Sequence, residues 1–331
     1  MKDVICIGEA LIDFIPYEKG IALKEVNSFL RVPGGAPLNV AATIAKLGGK
    51  SKILTKLGED AFGDIILEAV KPLGVDISSV VRTKEANTAL AFVSLKENGE
   101  RDFSFYRNPS ADMLLYQEEI QKEDFNEGAI LHFCSVSLID APIKKAHIKA
   151  INYCIENNGI VSFDPNIRLP LWTSKDECRK VVLEFLPKAH IVKISDEELE
   201  FITGIHDEKE ALNSLFKGNV SVIIYTKGGE GAEFIIKDKK VFSQGFKVKV
   251  EDTTGAGDSF IGSFLYQIAN NNLSLKDILK LEDKKIKDML YFSNATAALV
   301  VSKKGAIDAL PNRQQVDNFI NYKEVETNDK N

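Results

Sequence analysis

The densest run of chemistry-bearing residues lies late in the chain, at Asp252-Thr253-Thr254-Gly255-Ala256-Gly257-Asp258-Ser259-Phe260, followed by the helix-like stretch Ile261 to Ala269. Two glycines around a small residue at a helix start let several backbone N–H groups converge on an anion, and the helix dipole favours negative charge there. That suits a transferring phosphoryl group. Asp258 beside it would repel a resting phosphate, so its presence is explained if it accepts the proton of an attacking hydroxyl. Gly255, Ala256, Gly257 and Asp258 therefore read as an anion hole with its base; the competing reading is a tight turn with an acidic first helical turn. Two other phosphate motifs do not fit. A dinucleotide fingerprint would need glycine where Phe260 stands and should follow the first strand, and Gly49-Lys50-Ser51 lacks a P-loop's upstream glycine because position 44 is Ile44.

Such a site needs a frame. The 331 residues suit one large α/β unit with an appendage rather than two unrelated domains. Short apolar runs at Val4 to Gly8, Ser51 to Leu57, Ile130 to Cys134, Ile160 to Phe163, His190 to Ile194 and Val220 to Thr226 alternate with helix-length amphipathic segments. This is the rhythm of a βαβ-built, mostly parallel sheet. Pro37 opens one helix, Val40, Ile44 and Leu47 repeat along it, and Gly48-Gly49 stops it. Residues 13 to 32 and 86 to 107 break the rhythm; in the second, apolar runs flank Asn98-Gly99, a strong hairpin signal. The expectation is an α/β core of residues 1–12, 33–85 and 108–325, a small β-sheet lid from 13–32 and 86–107, and a polar tail from Glu326 to Asn331. An open lid edge would suit pairing with a second lid in a homodimer.

Composition removes several function classes. Lys and Arg total 42 against 48 Asp and Glu, a net charge of −6, with no basic run, so the electrostatic footprint of a nucleic-acid binder is missing. The opening apolar segment, Val4 to Ile7, is far too short for a membrane span or signal core, and the expected location is cytoplasmic. Cys6, Cys134, Cys154 and Cys178 are widely spaced without a CxxC, and His132, His147, His190 and His206 form no metal-ligand cluster.

These motifs together resemble the ribokinase-like (PfkB) carbohydrate kinases, whose late signature is Asp-Thr-Thr-Gly-Ala-Gly-Asp and whose early one carries a Gly-Gly pair before Asn. The likeness runs nearly end to end. Pro33-Gly34-Gly35-Ala36-Pro37-Leu38-Asn39-Val40-Ala41 resembles the fructokinase form, with Leu38 where Ala is usual, as do Phe105 to Leu115, Asp164-Pro165-Asn166-Ile167-Arg168 and Leu171-Trp172. The resemblance implies a three-layer α/β/α fold with a β-sheet lid, ATP and magnesium, and transfer to a sugar hydroxyl. It implies Asp258 as base and the Gly255, Ala256 and Gly257 amides as anion hole.

The resemblance further matches Asp13, Gly34, Gly35 and Asn39 to sugar-holding positions, although Asp13 also reads as a turn cap and Gly34-Gly35 as a positive-φ helix entry. Arg107 and Arg168 would contact substrate or phosphate, or form ordinary ion pairs. Arginines in these places keep a related branch, 2-keto-3-deoxygluconate kinase, open beside fructokinase. Glu198, in Ser195-Asp196-Glu197-Glu198, matches the glutamate that helps hold hydrated magnesium, with Ser195 replacing the family's Asn; the same four residues also form a capping box. Lys193, Thr226, Gly228, Gly231, Asn294 and Ala298 match the nucleotide side, the glycines doubling as a hairpin turn. Asp252 and Thr254 match a monovalent-cation loop, with Ala309 where some ribokinases carry a Ser ligand, so potassium dependence stays open. Two other classes remain in view, a non-catalytic sugar sensor and a nicotinamide-dependent oxidoreductase.

Overall fold

The computed structural model describes residues 1–18, 20–95 and 101–328. The strands in chain order are β1 (Asp3–Ile7), β2 (Leu11–Pro16), β3 (Phe29–Gly34), β4 (Lys50–Leu54), β5 (Lys56–Gly58), β6 (Val75–Asp76), β7 (Val81–Thr83) and β8 (Ala89–Leu95). Then come β9 (Arg101–Tyr106), β10 (Ile130–Cys134), β11 (Ile160–Asp164), β12 (Ile191–Ser195), β13 (Val222–Thr226), β14 (Gly231–Ile236) and β15 (Lys239–Gln244). The helices are α1 (Ala36–Lys46), α2 (Ala61–Val70), α3 (Pro142–Glu156), α4 (Lys175–Phe185), α5 (Asp196–Thr203) and α6 (Glu208–Ser214). They continue with α7 (Ala256–Asn270), α8 (Leu275–Ile278), α9 (Asp283–Val301) and α10 (Arg313–Asn328).

Among the described residues, nine strands build the central sheet in the order β15-β14-β13-β12-β11-β10-β1-β4-β6. Pairing is parallel from β6 to β13 and antiparallel for β14 and β15. Helices cover both faces, giving the three-layer α/β/α architecture. Strand periodicity sorts the side chains: Val4 and Cys6 of β1 face a core shared with Val40 of α1, Leu265 of α7 and Leu290 of α9, while Ile5 and Ile7 face Ala146 of α3, Phe185 of α4 and Ile202 of α5. Each such buried aliphatic or aromatic side chain contributes about 1.5–3 kcal/mol of burial energy. The chain leaves β1 in one direction toward β4 and builds β10 to β13 in the other, so the order reverses between β1 and β10. Open parallel sheets bind ligands at that reversal, outside the strands' carboxyl ends.

A second sheet, in the order β3-β2-β8-β9, stands apart from the first. Its pairing begins at Leu11 and runs to Gly34, wider than residues 13 to 32, because Leu11 opposes both Gly34 and Ala89. Asn98-Gly99 lie outside the described residues. The expected strand Ser51 to Leu57 is two: β4 stays in the central sheet, whereas β5 leaves it to pair with β7. Of the polar tail expected from Glu326 to Asn331, the residues up to Asn328 continue α10, and 329–331 lie outside the described residues. No described helix is long and apolar enough to cross a membrane.

Candidate active site

Asp258 lies in the first turn of α7, whose N-cap Gly255 has φ +76°. Any side chain there would be strained, and a Cβ would stand 3.0 Å from that of Ala306. Ala256 N donates to Thr253 O at 3.3 Å and Ser259 N to Gly255 O at 2.8 Å, which starts the helix. Helix geometry leaves the intervening Gly257 and Asp258 amides without an intrahelical acceptor. Asp258 is 6% exposed, and its carboxylate is held from two sides. Asn39 Nδ2, in the first turn of α1, donates to Oδ2 at 2.8 Å, and Asn166 Nδ2, just beyond β11, donates to Oδ1 at 3.0 Å. The Oδ1 atoms of Asn39 and Asn166 are buried and have no hydrogen-bond partner. Burial pushes the Asp258 carboxyl above its ordinary value, against the Asn39 hydrogen bond and the charges of Arg168 and Lys193.

Lys193 is buried in β12 with its Nζ 3.0 Å from Asp164 Oδ2. The same ammonium lies 3.1 Å from where a Cβ on Gly257 would be, so it stands against the start of α7. Burial alone would discharge Lys193, but Asp164, Glu198 and Asp258 outweigh it and raise its pKa. Burial pushes the Asp164 carboxyl up to about 7, with the Lys193 charge opposing. Asp164 Oδ1 also accepts from Asn166 N at 3.1 Å, fixing the turn in which Asn166 takes φ +45°.

The sugar-side candidates divide. A Cβ on Gly34 would fall 2.2 Å from Asp13 Oδ2, so the Asp13 carboxylate lies directly over this glycine and a larger residue there would displace it. Gly35 has φ +109° and backs onto Glu9 O, 2.5 Å from where its Cβ would be. Arg168 is exposed; Nη1 donates to Ile167 O at 2.9 Å and its charge reaches Asp258. Of the two readings of Arg107, a substrate contact or an ion pair, the structure shows the ion pair: its side chain is 2% exposed and its guanidinium pairs with Asp112. The motif placed an arginine correctly in sequence but could not show that an acid five residues on would turn it inward.

Glu198 completes a capping box, Oε2 accepting from Ser195 N and Oγ at 3.0 Å each, while Oε1 accepts from Ile167 N at 2.8 Å. Asp252 Oδ1 accepts from Thr254 N at 2.8 Å and Oγ1 at 2.7 Å, and Oδ2 from Gly305 N at 3.1 Å. Among the residues expected to meet a nucleotide, Thr226 Oγ1 donates to Ile194 O at 3.4 Å, and Gly228 (φ +48°) and Gly231 (φ +125°) form the turn joining β13 to antiparallel β14. Asn294 Nδ2 donates to Ser243 O at 3.1 Å and Gln244 O at 3.2 Å, tying α9 to the strand opposite Gly231; Ala298 is buried one turn further on. Among the described residues no group of three His, Cys, Asp or Glu side chains stands ready to hold a metal.

Sequence reasoning missed Glu9, Asp164 and Asn166 as site builders. Their signal was available: each is a polar residue at or just beyond the carboxyl end of a buried parallel strand, the edge where parallel sheets carry their chemistry.

With this geometry in place, comparison with known proteins is informative. The sequence pattern of the pfkB family carbohydrate kinases matches residues 1–313. A probable fructokinase-2 of Arabidopsis thaliana is 42% identical over 318 residues, covering 96% of this chain and 95% of that one. Among solved structures, a fructokinase with bound ATP from Xylella fastidiosa superposes with TM-score 0.90 at 33% identity, covering 97% and 99% of the two chains. A fructokinase double mutant from Vibrio cholerae O395, in a fructose-, ADP- and potassium-bound form, gives TM-score 0.86 at 34% identity over 96% and 98%. The chain belongs to the pfkB family of carbohydrate kinases. It is a ribokinase-like carbohydrate kinase, an enzyme that transfers a phosphoryl group to a sugar.

Proposed function

We propose that this kinase is a fructokinase, transferring the γ-phosphoryl group of ATP to the primary hydroxyl that yields fructose 6-phosphate. The observation that carries the reading is Asp258: a buried carboxylate in the first turn of a glycine-led helix, gripped by two amides whose own oxygens have no partner. Buried acceptors without partners suit the hydroxyl donors of a polyol. The relatives named above are fructokinases, one of them holding fructose and ADP.

In this mechanism Asp258 takes the proton of the attacking hydroxyl as it bonds to the γ-phosphorus and the bond to the ADP leaving oxygen breaks. The amides at Gly255 to Gly257, the Ala256 one shared with Thr253 O, together with the neighbouring Asp258 amide and the protonated Lys193, stabilise the charge that gathers on the transferring group, commonly the main contribution in phosphoryl transfer. Asp13, Gly34, Gly35 and Asn39 bind the sugar, with Arg168 beside them. Thr226, Gly228, Gly231, Asn294 and Ala298 seat the nucleotide. Magnesium bound with ATP would supply charge neutralisation, and Glu198, whose oxygens keep acceptor capacity after three hydrogen bonds, fits it through a water ligand. Asp252 and Thr254 shape a loop that would serve a monovalent cation such as potassium. The small sheet acts as a lid that excludes water from the transfer. Exposed Tyr17, Leu30 and Tyr106 on that sheet suit pairing with a second lid.

The test is ADP release from magnesium-ATP with fructose, 2-keto-3-deoxygluconate, ribose and adenosine in parallel, with and without potassium. A fructose-dominated rate is expected. Dominance of the keto acid would move the substrate to the related branch and give Arg168 its carboxylate, and a nucleotide that binds without turnover on any sugar would favour a sensor.

A further inference from the structure

The small sheet joins the core through four strand ends; three of them meet one buried ionic cluster, and the fourth is tied to the segment that carries Asp112. Glu9 lies just before β2, Ala36 just after β3, Asn87 just before β8 and Arg107 just after β9. Glu9 Oε1 accepts from Ala36 N at 3.1 Å and Oε2 from Ser137 Oγ at 2.6 Å, so one carboxylate ties the entry to β2, the start of α1 and the core beyond β10. Arg107 pairs with Asp112, faces the Glu9 charge, and sends Nη1 to Val136 O at 3.4 Å. The segment carrying Asp112 closes the circuit, with Ala111 N donating to Asn87 O at 2.8 Å. Asp112 is fully buried, Glu9 is 2% exposed, and Ser110 Oγ donates to Asp112 Oδ1 at 2.5 Å.

Resting on the kinase reading above, we propose that Glu9, Arg107 and Asp112 are positioning residues that form a hinge pin, setting the small sheet over the sugar side and aligning α1 with the base. The link to chemistry is short: Glu9 caps the first turn of α1, and the same turn carries Asn39, which holds Asp258. A buried charge pair is a poor source of net stability but a sharp geometric constraint, because a displaced partner leaves an uncompensated charge. Misplacing reacting groups by about 1 Å costs on the order of 100-fold in rate.

The test uses the full chain with Glu9→Gln and Asp112→Asn, which keep shape and remove charge, and Arg107→Lys, which keeps charge and loses the planar fork. Hydrogen exchange is followed separately in the small-sheet strands and in β1 and β10, alongside KM and turnover for fructose and for ATP and the rate of sugar-independent ATP hydrolysis. The expected result is exchange about tenfold faster in the small sheet alone. With it come a kcat/KM for fructose lower by about 100-fold, an unchanged KM for ATP, and a larger share of ATP hydrolysed without sugar. Unchanged exchange in the small sheet, or a rise spread equally over both sheets, overturns the hinge pin and leaves the cluster structural. If wild type itself fails to turn over fructose, the functional reading falls while exchange still decides the hinge.

Discussion

Two helices in this molecule begin alike and are used differently. Both α1 and α7 start on a glycine with positive φ, Gly35 at +109° and Gly255 at +76°, followed by an alanine and a buried apolar run. At α1 a resident carboxylate, Glu9, already accepts from the first-turn amide of Ala36. At α7 no side-chain cap is made, and the acid in the first turn, Asp258, is turned to Asn39 and Asn166 instead. The electrostatic opportunity of a helix N-terminus is the same in both. The difference is one of occupancy: at α1 the protein's own Glu9 fills the helix start, whereas at α7 the start is left to the phosphoryl group proposed above.

The sharpest way to break the contrast is at Asp258. Asp258→Asn keeps the size and position of the side chain and removes the base, so turnover should fall about 100 to 10,000-fold with ATP affinity little changed. ADP release and calorimetric ATP binding check it; wild-type-like turnover would remove Asp258 from the mechanism. The pH profile tests the same group. Its pKa is raised, chiefly by burial, so the active carboxylate is lost as pH falls through a value above the ordinary 3.8. The acid limb of kcat/KM should therefore lie higher than a solvated aspartate would put it, with tenfold loss per pH unit below it. An acid limb at or below the ordinary carboxylate range would contradict the buried site.

Glycine-to-alanine changes at the two helix starts should then separate activity from stability. A Cβ at Gly257 meets only the flexible end of Lys193, at 3.1 Å, and φ there needs no glycine. Gly257→Ala should keep a near wild-type melting temperature and lose about 100-fold in turnover, the scale of a disturbed oxyanion donor. Gly35→Ala forces a side chain into positive φ and against Glu9 O, 2.5 Å away. It should cost about 1–3 kcal/mol of stability, seen in thermal melts before any kinetic reading. Equal effects on both properties at both positions would erase the distinction between joint and site.

How much of this was legible in the sequence follows from the range of the interactions. The glycine-led start of α7 and its acid are local, so nine consecutive residues announced them. The alternation of apolar strands and amphipathic helices was local as well, and it gave the layers. The grip on Asp258 was not: Asn39 and Asn166 come from 219 and 92 residues away, and their meeting depends on sheet order. Arg107 shows the other limit. Its place in the Phe105 to Leu115 string was visible, but its direction depends on Asp112, Glu9 and Val136, brought together by the hinge. The break between β4 and β5 was hidden for the same reason, since Ser51 to Leu57 holds no glycine or proline to mark a break at Thr55 and only pairing with β7 pulls the second half away.

The smallest expected effect concerns Ser195, where the family resemblance would put Asn. Its hydroxyl and Glu198 close a capping box on α5, and Glu198 simultaneously holds Ile167 N beside the loop that delivers Asn166. Ser195→Ala removes one hydrogen bond to Glu198 and leaves two. The expected cost is about 1 kcal/mol of stability, a shift of a few degrees at most, with the KM for magnesium-ATP and the magnesium dependence of turnover both unchanged. That is the behaviour of a helix start filled by the protein's own carboxylate, where a lost cap costs stability and spares the chemistry. If the magnesium dependence moved instead, the cap and the metal-binding role would be inseparable at Glu198, and α5 would belong with α7 among the helix starts that work on the substrate.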